Sequence, residues 1–129
     1  SKYNFVTIVL GAGGNRDKSK RVKMGEATRN ADYIIITNDN PRSEDPLEIS
    51  KNILEGIPLN KKTDVILDRK KAIYKGIERL KDNEVLLILG KGHEKDQEIQ
   101  NKFYPFDDVK VAREALELRN WLELLYQVE

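Results

Sequence analysis

An α/β fold, built on a mostly parallel sheet with helices on both faces, is what this 129-residue sequence predicts. Three observations carry the prediction. Short apolar runs alternate with segments of helical periodicity, as in units that cross from one parallel strand to the next. The runs are apolar throughout instead of alternating, which marks strands buried on both faces. Glycine, asparagine or aspartate follows them, residues suited to turning a strand into a helix.

The elements follow in order. "FVTIVL" (Phe5–Leu10) is a buried strand ending at glycines. A helix is expected from about Lys20 to Asn30, with Val22, Met24 and Ala27 inward. "YIIIT" (Tyr33–Thr37) is the second strand. Asp45, Pro46 and Glu48 make the clearest helix start, a cap, a first-turn proline and the acid that closes a capping box. Ile49, Ile53 and Leu54 form that helix's inner face, and Gly56 is expected to stop it. "TDVIL" (Thr63–Leu67) is the third strand; Asp68 caps a helix carrying Ala72, Ile73, Gly76, Ile77 and Leu80 on one face. "EVLLIL" (Glu84–Leu89) is the fourth strand. "QEIQNKFYPF" reads as a small hairpin turning at Asn101-Lys102. Asp107 or Asp108 then caps a last helix with Val109, Ala112, Leu116, Trp121, Leu122 and Leu125. This succession is Rossmann-like, with a C-terminal hairpin before the final helix.

Residues 1–129 read as one domain, long enough for a real core. With 39% apolar and 35% charged residues the chain is globular, not disordered. Its apolar runs fall far short of the ~20 residues that span a bilayer. No cysteine is present, so disulfides and thiolate metal sites are excluded. The N-terminal stretch lacks a signal-cleavage pattern, and a cytoplasmic location is expected. The 23 basic and 22 acidic residues nearly cancel, so neither nucleic acid nor a membrane surface is indicated as a partner. One basic cluster, Arg16, Lys18, Lys20, Arg21 and Lys23, reads either as a solvated helix start or as a phosphate- or carboxylate-binding loop.

Ligands of parallel sheets bind at the carboxyl ends of strands. Three loops therefore matter: "GAGGNRDKSKR", "NDNPRSED" and "GKGHEKDQ" after strands one, two and four. The loop after strand three is only Asp68 and is expected to contribute little. "GAGGNR" places Arg16 where a dinucleotide fingerprint needs glycine, and no Gly-Lys-Ser/Thr follows, so it is neither a Rossmann NAD site nor a P-loop. His93, a lone histidine, makes no metal site. Taken together, Arg16 and Arg42 suit a carboxylate, and Asn40 adds a neutral donor and acceptor. Glu94 with the Gly90 carbonyl offers the acceptors an ammonium needs. Opposite charges at one sheet edge suit a zwitterion, a free amino-acid end.

"GAGGNRDKSKR", "TNDNPRSEDP" and "LGKGHE" in this order, with "YPFDD" (Tyr104–Asp108), resemble the C-terminal domain of the Mur ligases. These are the ATP-dependent enzymes that build the peptidoglycan stem peptide. The likeness runs from about Phe5 to the last helix and is strongest to members that add meso-diaminopimelate to UDP-MurNAc-L-Ala-D-Glu. Asp39, Asn40, Pro41 and Arg42 are its most specific element. The resemblance implies that Arg16, Asn40 and Arg42 bind the distal carboxylate of diaminopimelate. It also implies that the Gly90 carbonyl and Glu94 take the distal ammonium. Lysine would leave two arginines without a partner, implying discrimination on the order of 10⁴.

The implied reaction phosphorylates the D-glutamate carboxylate with ATP, and the amino acid's amine attacks the acyl phosphate. ATP and Mg2+ would be held mainly by a central domain whose phosphate loop does not occur here, so no catalytic residue is assigned in this chain. The UDP-binding N-terminal domain is likewise missing, as is the Asp-Tyr-Ala-His-Thr-Pro stretch that opens the family's C-terminal domain. The chain therefore reads as an N-terminally truncated amino-acid-recognition module, inactive alone and monomeric.

The sequence departs from the family at Ala12, Asn15, Lys95 and Asp96, which changes charge beside the clamp. Lys91 and His93 match the motif with no role beyond shaping the loop or approaching nucleotide phosphate. Diaminopimelate or the two-ended thioether lanthionine is favoured over lysine. A nucleotide-binding α/β module using the basic 16–23 loop, and a non-catalytic partner-binding domain, are the alternatives.

Overall fold

The computed structural model of the chain describes residues 3–91 and 93–128; Gly92 of "GKGHE" lies outside them. Four strands, β1 (Phe5–Leu10), β2 (Tyr33–Ile36), β3 (Lys62–Val65) and β4 (Glu84–Ile88), form one parallel sheet in the order β3-β2-β1-β4. The registers pair Ile8 with Ile34 and with Leu87, and Ile34 with Thr63. Side chains alternate across β1 and β2 with the period of two that a strand imposes. Ile8, Leu10, Ile34 and Ile36 point to one face, packed with Ile49 and Ile53 of α2 (Pro46–Gly56). Val9, Tyr33 and Ile35 point to the other, packed with Ala72, Ile73 and Ile77 of α3 (Arg69–Arg79) and with Val111 and Ala115 of α4 (Asp108–Val128). The helix α1 (Lys18–Ala27) lies beside α2.

The fold class agrees with the prediction, and several details differ. The two outer strands are half-exposed, because each has a neighbour on one side only; β3 carries Lys62 and Asp64, and β4 leaves Leu87 exposed. Strands two to four each stop before the predicted last residue, at Ile36, Val65 and Ile88, and β3 begins one residue early. Helix α1 starts at Lys18, since Asp17 caps it by accepting from the Ser19 amide at 2.9 Å. Its buried residues are Arg21 and Gly25, while Ala27 is exposed.

Asp45 caps α2 through the Leu47 amide, and Leu54 lies outward. Gly56 ends α2 with an ordinary backbone. Its reason is packing: a Cβ there would lie 1.9 Å from the Val22 carbonyl of α1, and one on Gly25 would lie 2.1 Å from Ile53 O. The hairpin pairs β5 (Asp96–Ile99) with β6 (Lys102–Pro105) and turns at Gln100-Asn101, both at positive φ, one residue before the predicted pair. Asp107 caps α4 by accepting from Val109 N and Lys110 N. Val111 and Ala115 form the inner face of α4, whereas Val109, Leu116, Trp121, Leu122 and Leu125 are exposed.

The chain order decides where a ligand fits. From β1 the chain steps outward to β2 and β3, then returns to place β4 on the other side of β1. The boundary between β1 and β4 is therefore the sheet's topological switch point, and the carboxyl ends of the strands there are where parallel sheets bind ligands.

Candidate functional site

The loop after β1 is fastened to the loop after β2. A Cβ on Gly11 would lie 2.4 Å from Thr37 O, and one on Gly14 1.8 Å from Pro41 O, so only glycine permits this approach. Gly14 N donates to Asn40 O at 2.6 Å, and Asn15 N donates to Glu44 Oε1 at 2.9 Å. Arg21 completes the joint. It is 1% exposed and grips Glu44 with two bonds of 2.7 Å, adding Asn52 Oδ1 and Gly13 O. Those bonds from Arg21 hold the Glu44 carboxyl down at about 2. Of the basic cluster, therefore, Arg21 is an internal strut, while Arg16, Lys18, Lys20 and Lys23 are exposed.

Lys91 fastens the loop after β4 to the same assembly. Its buried ammonium donates to Asn40 Oδ1 at 3.2 Å and to Asp96 O at 2.6 Å, and lies 3.3 Å from Asp39 Oδ1. The contact with Asp39 is Coulombic, without hydrogen-bond alignment. Burial pushes the Asp39 carboxyl above its ordinary value, opposed by Lys91 and Arg69. Lys91 thus shapes the loop. The β5–β6 hairpin closes the ring: Arg42 N donates to Glu98 O at 3.0 Å, Gln100 N to Arg42 O at 2.7 Å and Glu98 N to Asn40 Oδ1 at 2.9 Å.

Arg69, the first residue of α3, joins two of these loops to α4. It follows the cap Asp68 directly and is 2% exposed. Its guanidinium takes both Asp108 oxygens, at 2.8 and 2.7 Å, and also donates to Asn38 O and Leu89 O. One side chain therefore ties the loops after β2 and β4 to the start of α4. The Asp-Arg pair that opens α3 was the only sign of this in the sequence.

Of the predicted clamp residues, Asn40, Arg42 and Glu94 line one cavity of about 300 Å³ with Lys95, Asp96, Glu98 and Phe103. Arg16 is exposed beside it. A Cβ on Gly13 would lie 2.7 Å from Arg42 Nη1 and 3.6 Å from Arg16 Cγ, so the two arginines flank that glycine. Gly90 has φ +117° and stands against Gly11, and its carbonyl bonds nothing among the described residues. Asp39 and Pro41 are buried and do not line the cavity. His93 is exposed.

Arg42 already has a partner that the sequence did not disclose. Its Nε lies 3.2 Å from Glu98 Oε1, and Nη1 donates to Gly14 O at 3.1 Å. Nη2 of Arg42, Nδ2 of Asn40 and the carboxylate of Glu94 bond nothing among the described residues. The cavity thus offers a donor edge and an acceptor group to one small ligand with both signs of charge. A groove of about 690 Å³ between α3 and the end of α4 is larger but lies away from the strand-end loops. In the Gly11–Gly14 loop, the Gly14 amide is already spent on Asn40 O. No three His, Cys, Asp or Glu residues are grouped to hold a metal among the described residues.

The chain is similar to known proteins in sequence and in fold. The family described as "Mur ligase, glutamate ligase domain" matches residues 2–92. The UDP-N-acetylmuramoyl-L-alanyl-D-glutamate--2,6-diaminopimelate ligase of Prochlorococcus marinus (strain NATL1A) is 51% identical over 112 residues, 86% of this chain and 22% of the relative. The ligase of the same name from Aquifex aeolicus (strain VF5) is 50% identical over 117 residues, 90% of this chain and 24% of the relative. A solved structure of a ligase of that name superposes with TM-score 0.83 at 36% identity, over 91% of this chain and 24% of that one. The chain thus spans 22–24% of the length of these relatives. Matched in sequence and in fold, the chain belongs to the Mur ligase family, as its C-terminal, glutamate ligase domain.

Proposed function

We propose that this chain, over residues 1–129, is the amino-acid-binding domain of an ATP-dependent ligase. That ligase joins meso-diaminopimelate, or a two-ended analogue such as lanthionine, to UDP-MurNAc-L-Ala-D-Glu in peptidoglycan synthesis. The observation that carries the reading is that Arg42 and Glu94 line the same 300 Å³ cavity, each with an unused polar edge. A distal carboxylate would bond Arg42 Nη2 and Asn40 Nδ2, with Arg16 closing from the rim. The distal ammonium would bond Glu94 and the Gly90 carbonyl. With its far end held, the amino acid presents its other amine outward, and fixing that amine is what accelerates attack on an activated carboxyl.

ATP and Mg2+ belong, on this reading, to parts of the ligase outside this chain. With ATP, UDP-MurNAc-dipeptide and diaminopimelate present, the chain alone is expected to release no ADP. The reading places the ligase in the cytoplasm as a monomer; no described helix is long and apolar enough to cross a membrane.

The Glu98 contact lowers the selectivity expected from the residue types alone. Lysine would leave Nη2 of Arg42 unmatched, but Nε would keep its carboxylate. An unmatched charged donor costs roughly 3 kcal/mol, so discrimination of about 10² is expected, not 10⁴. The alternative of phosphate binding at the basic 16–23 segment is disfavoured because Asp17 caps that helix start and Glu44 neutralises Arg21. Amide shifts in a heteronuclear NMR titration test the assignment. Diaminopimelate should move residues 40–42 and 94–98; shifts confined to 13–23, or produced by ATP instead, would favour the nucleotide reading.

A further inference from the structure

We propose that Glu98 is a positioning residue of this cavity: it sets the guanidinium of Arg42 so that Nη2 is the edge offered to a ligand carboxylate. The inference rests on the amino-acid-binding reading above and adds a residue to it. Arg42 sits at φ 54°, a left-handed backbone that is strained for any residue with a Cβ. Such strain persists only where surrounding contacts fix it. Here the contacts come from the hairpin: Gln100 N donates to Arg42 O at 2.7 Å, and Glu98 adds its own. Glu98 accepts the Arg42 amide at its carbonyl, donates its own amide to Asn40 Oδ1 and places its carboxylate 3.2 Å from Arg42 Nε. The hairpin therefore fixes both the backbone and the side chain of the clamp.

The division of the guanidinium follows. Nε faces Glu98, Nη1 faces Gly14 O and Asn40 O, and only Nη2 lacks a partner among the described residues. Both side chains are about one-fifth exposed, 21% for Arg42 and 22% for Glu98, so the pair is partly shielded from water. Two other acids line the same cavity, Glu94 and Asp96. Without Glu98, a freed Arg42 would turn toward them and occupy the carboxylate that the ligand's ammonium needs. Glu98 thus keeps the two charges of the site apart, so that a zwitterion can bridge them. A glutamate placed instead to compete with the ligand's carboxylate would act in the opposite direction.

Glu98→Ala and Glu98→Gln in the 129-residue chain separate these roles. Glutamine keeps an oxygen within reach of Nε but loses the charge, while alanine keeps neither. In the ligand-free chain, the Arg42 Nε resonance should shift in Glu98→Ala, which removes its carboxylate neighbour, and shift less in Glu98→Gln. Calorimetry should show Glu98→Ala binding meso-diaminopimelate about tenfold more weakly, the upper end for one side chain left unordered. Glu98→Gln should stay within about threefold of the parent. Lysine, whose side-chain ammonium needs the same Glu94, should also bind Glu98→Ala more weakly than it binds the parent. Equal affinity of Glu98→Ala and parent for diaminopimelate, or tighter binding by Glu98→Gln, would overturn the positioning role. If the parent binds no diaminopimelate while the resonance behaves as expected, the amino-acid reading falls and the alignment of Arg42 by Glu98 stands.

Discussion

Replacing Arg69 by methionine tests whether one buried arginine holds the site's loops together. The substitution keeps most of the side chain's volume and removes four hydrogen bonds: two to Asp108, one to Asn38 O and one to Leu89 O. The Asp108 side chain, 10% exposed, is left with no cation. Breaking a buried ion pair on one side typically costs 3–5 kcal/mol, mainly because the other charge stays desolvated. Part of the cost of the two carbonyls overlaps with this, so a loss of about 4 kcal/mol is expected. For a chain of this size that lowers Tm by roughly 12–16 °C.

Urea unfolding followed by far-UV circular dichroism measures the loss, provided the slope against urea is unchanged. Arg69→Met combined with Asp108→Asn should cost less than the two single losses added, by about 2 kcal/mol or more, since the double variant leaves neither charge unpaired. A single-variant loss below about 1 kcal/mol, or strict additivity in the cycle, would refute the assignment of Arg69 as a buried tie.

Other consequences can be measured on the same chain. Glu44 has its folded pKa depressed to about 2 from an ordinary 4.5, so its share of stability is present above pH 4.5 and lost as pH falls toward 2; Glu44→Gln should flatten the acid limb of the stability curve in that window. Lys91→Met should cost about 3 kcal/mol at pH 7 by stranding Asp39. That deficit should shrink on acidification, because Asp39, already pushed up by burial, then takes a proton; a deficit that grows with acid would contradict the Lys91–Asp39 contact. Gly25→Ala gains up to about 1 kcal/mol of helix propensity but should lose about 3 kcal/mol net, because its Cβ would strike Ile53 O; a stabilised variant in thermal unfolding would show that α1 and α2 move apart freely.

The fold was legible because its signals are local. Apolar runs, the Asp45-Pro46 start and the Asp68 cap depend on neighbours within a few residues, and each appears close to where the sequence indicates. The buried face of α4 is not legible, for a related reason. Its apolar residues occupy several sides of the helix, so periodicity does not say that Val111 and Ala115 turn inward while Trp121 is left 60% exposed. Asn40, Arg42 and Glu94 are legible as candidates because ligands of parallel sheets bind at the carboxyl ends of strands, and the three do line one cavity. Contacts between charges distant in sequence were not legible. Arg21 with Glu44, Arg69 with Asp108 and Arg42 with Glu98 join residues 23, 39 and 56 apart, and only the assembled loops bring them together.

The central claim is that Arg42 and Glu94 form the two jaws of an amino-acid clamp. Calorimetric titration of the chain with meso-diaminopimelate and with lysine, under identical conditions, tests it most directly. The account predicts that diaminopimelate binds about 10²-fold more tightly than lysine, the worth of one carboxylate against Arg42 Nη2. Equal affinities for the two amino acids would contradict it.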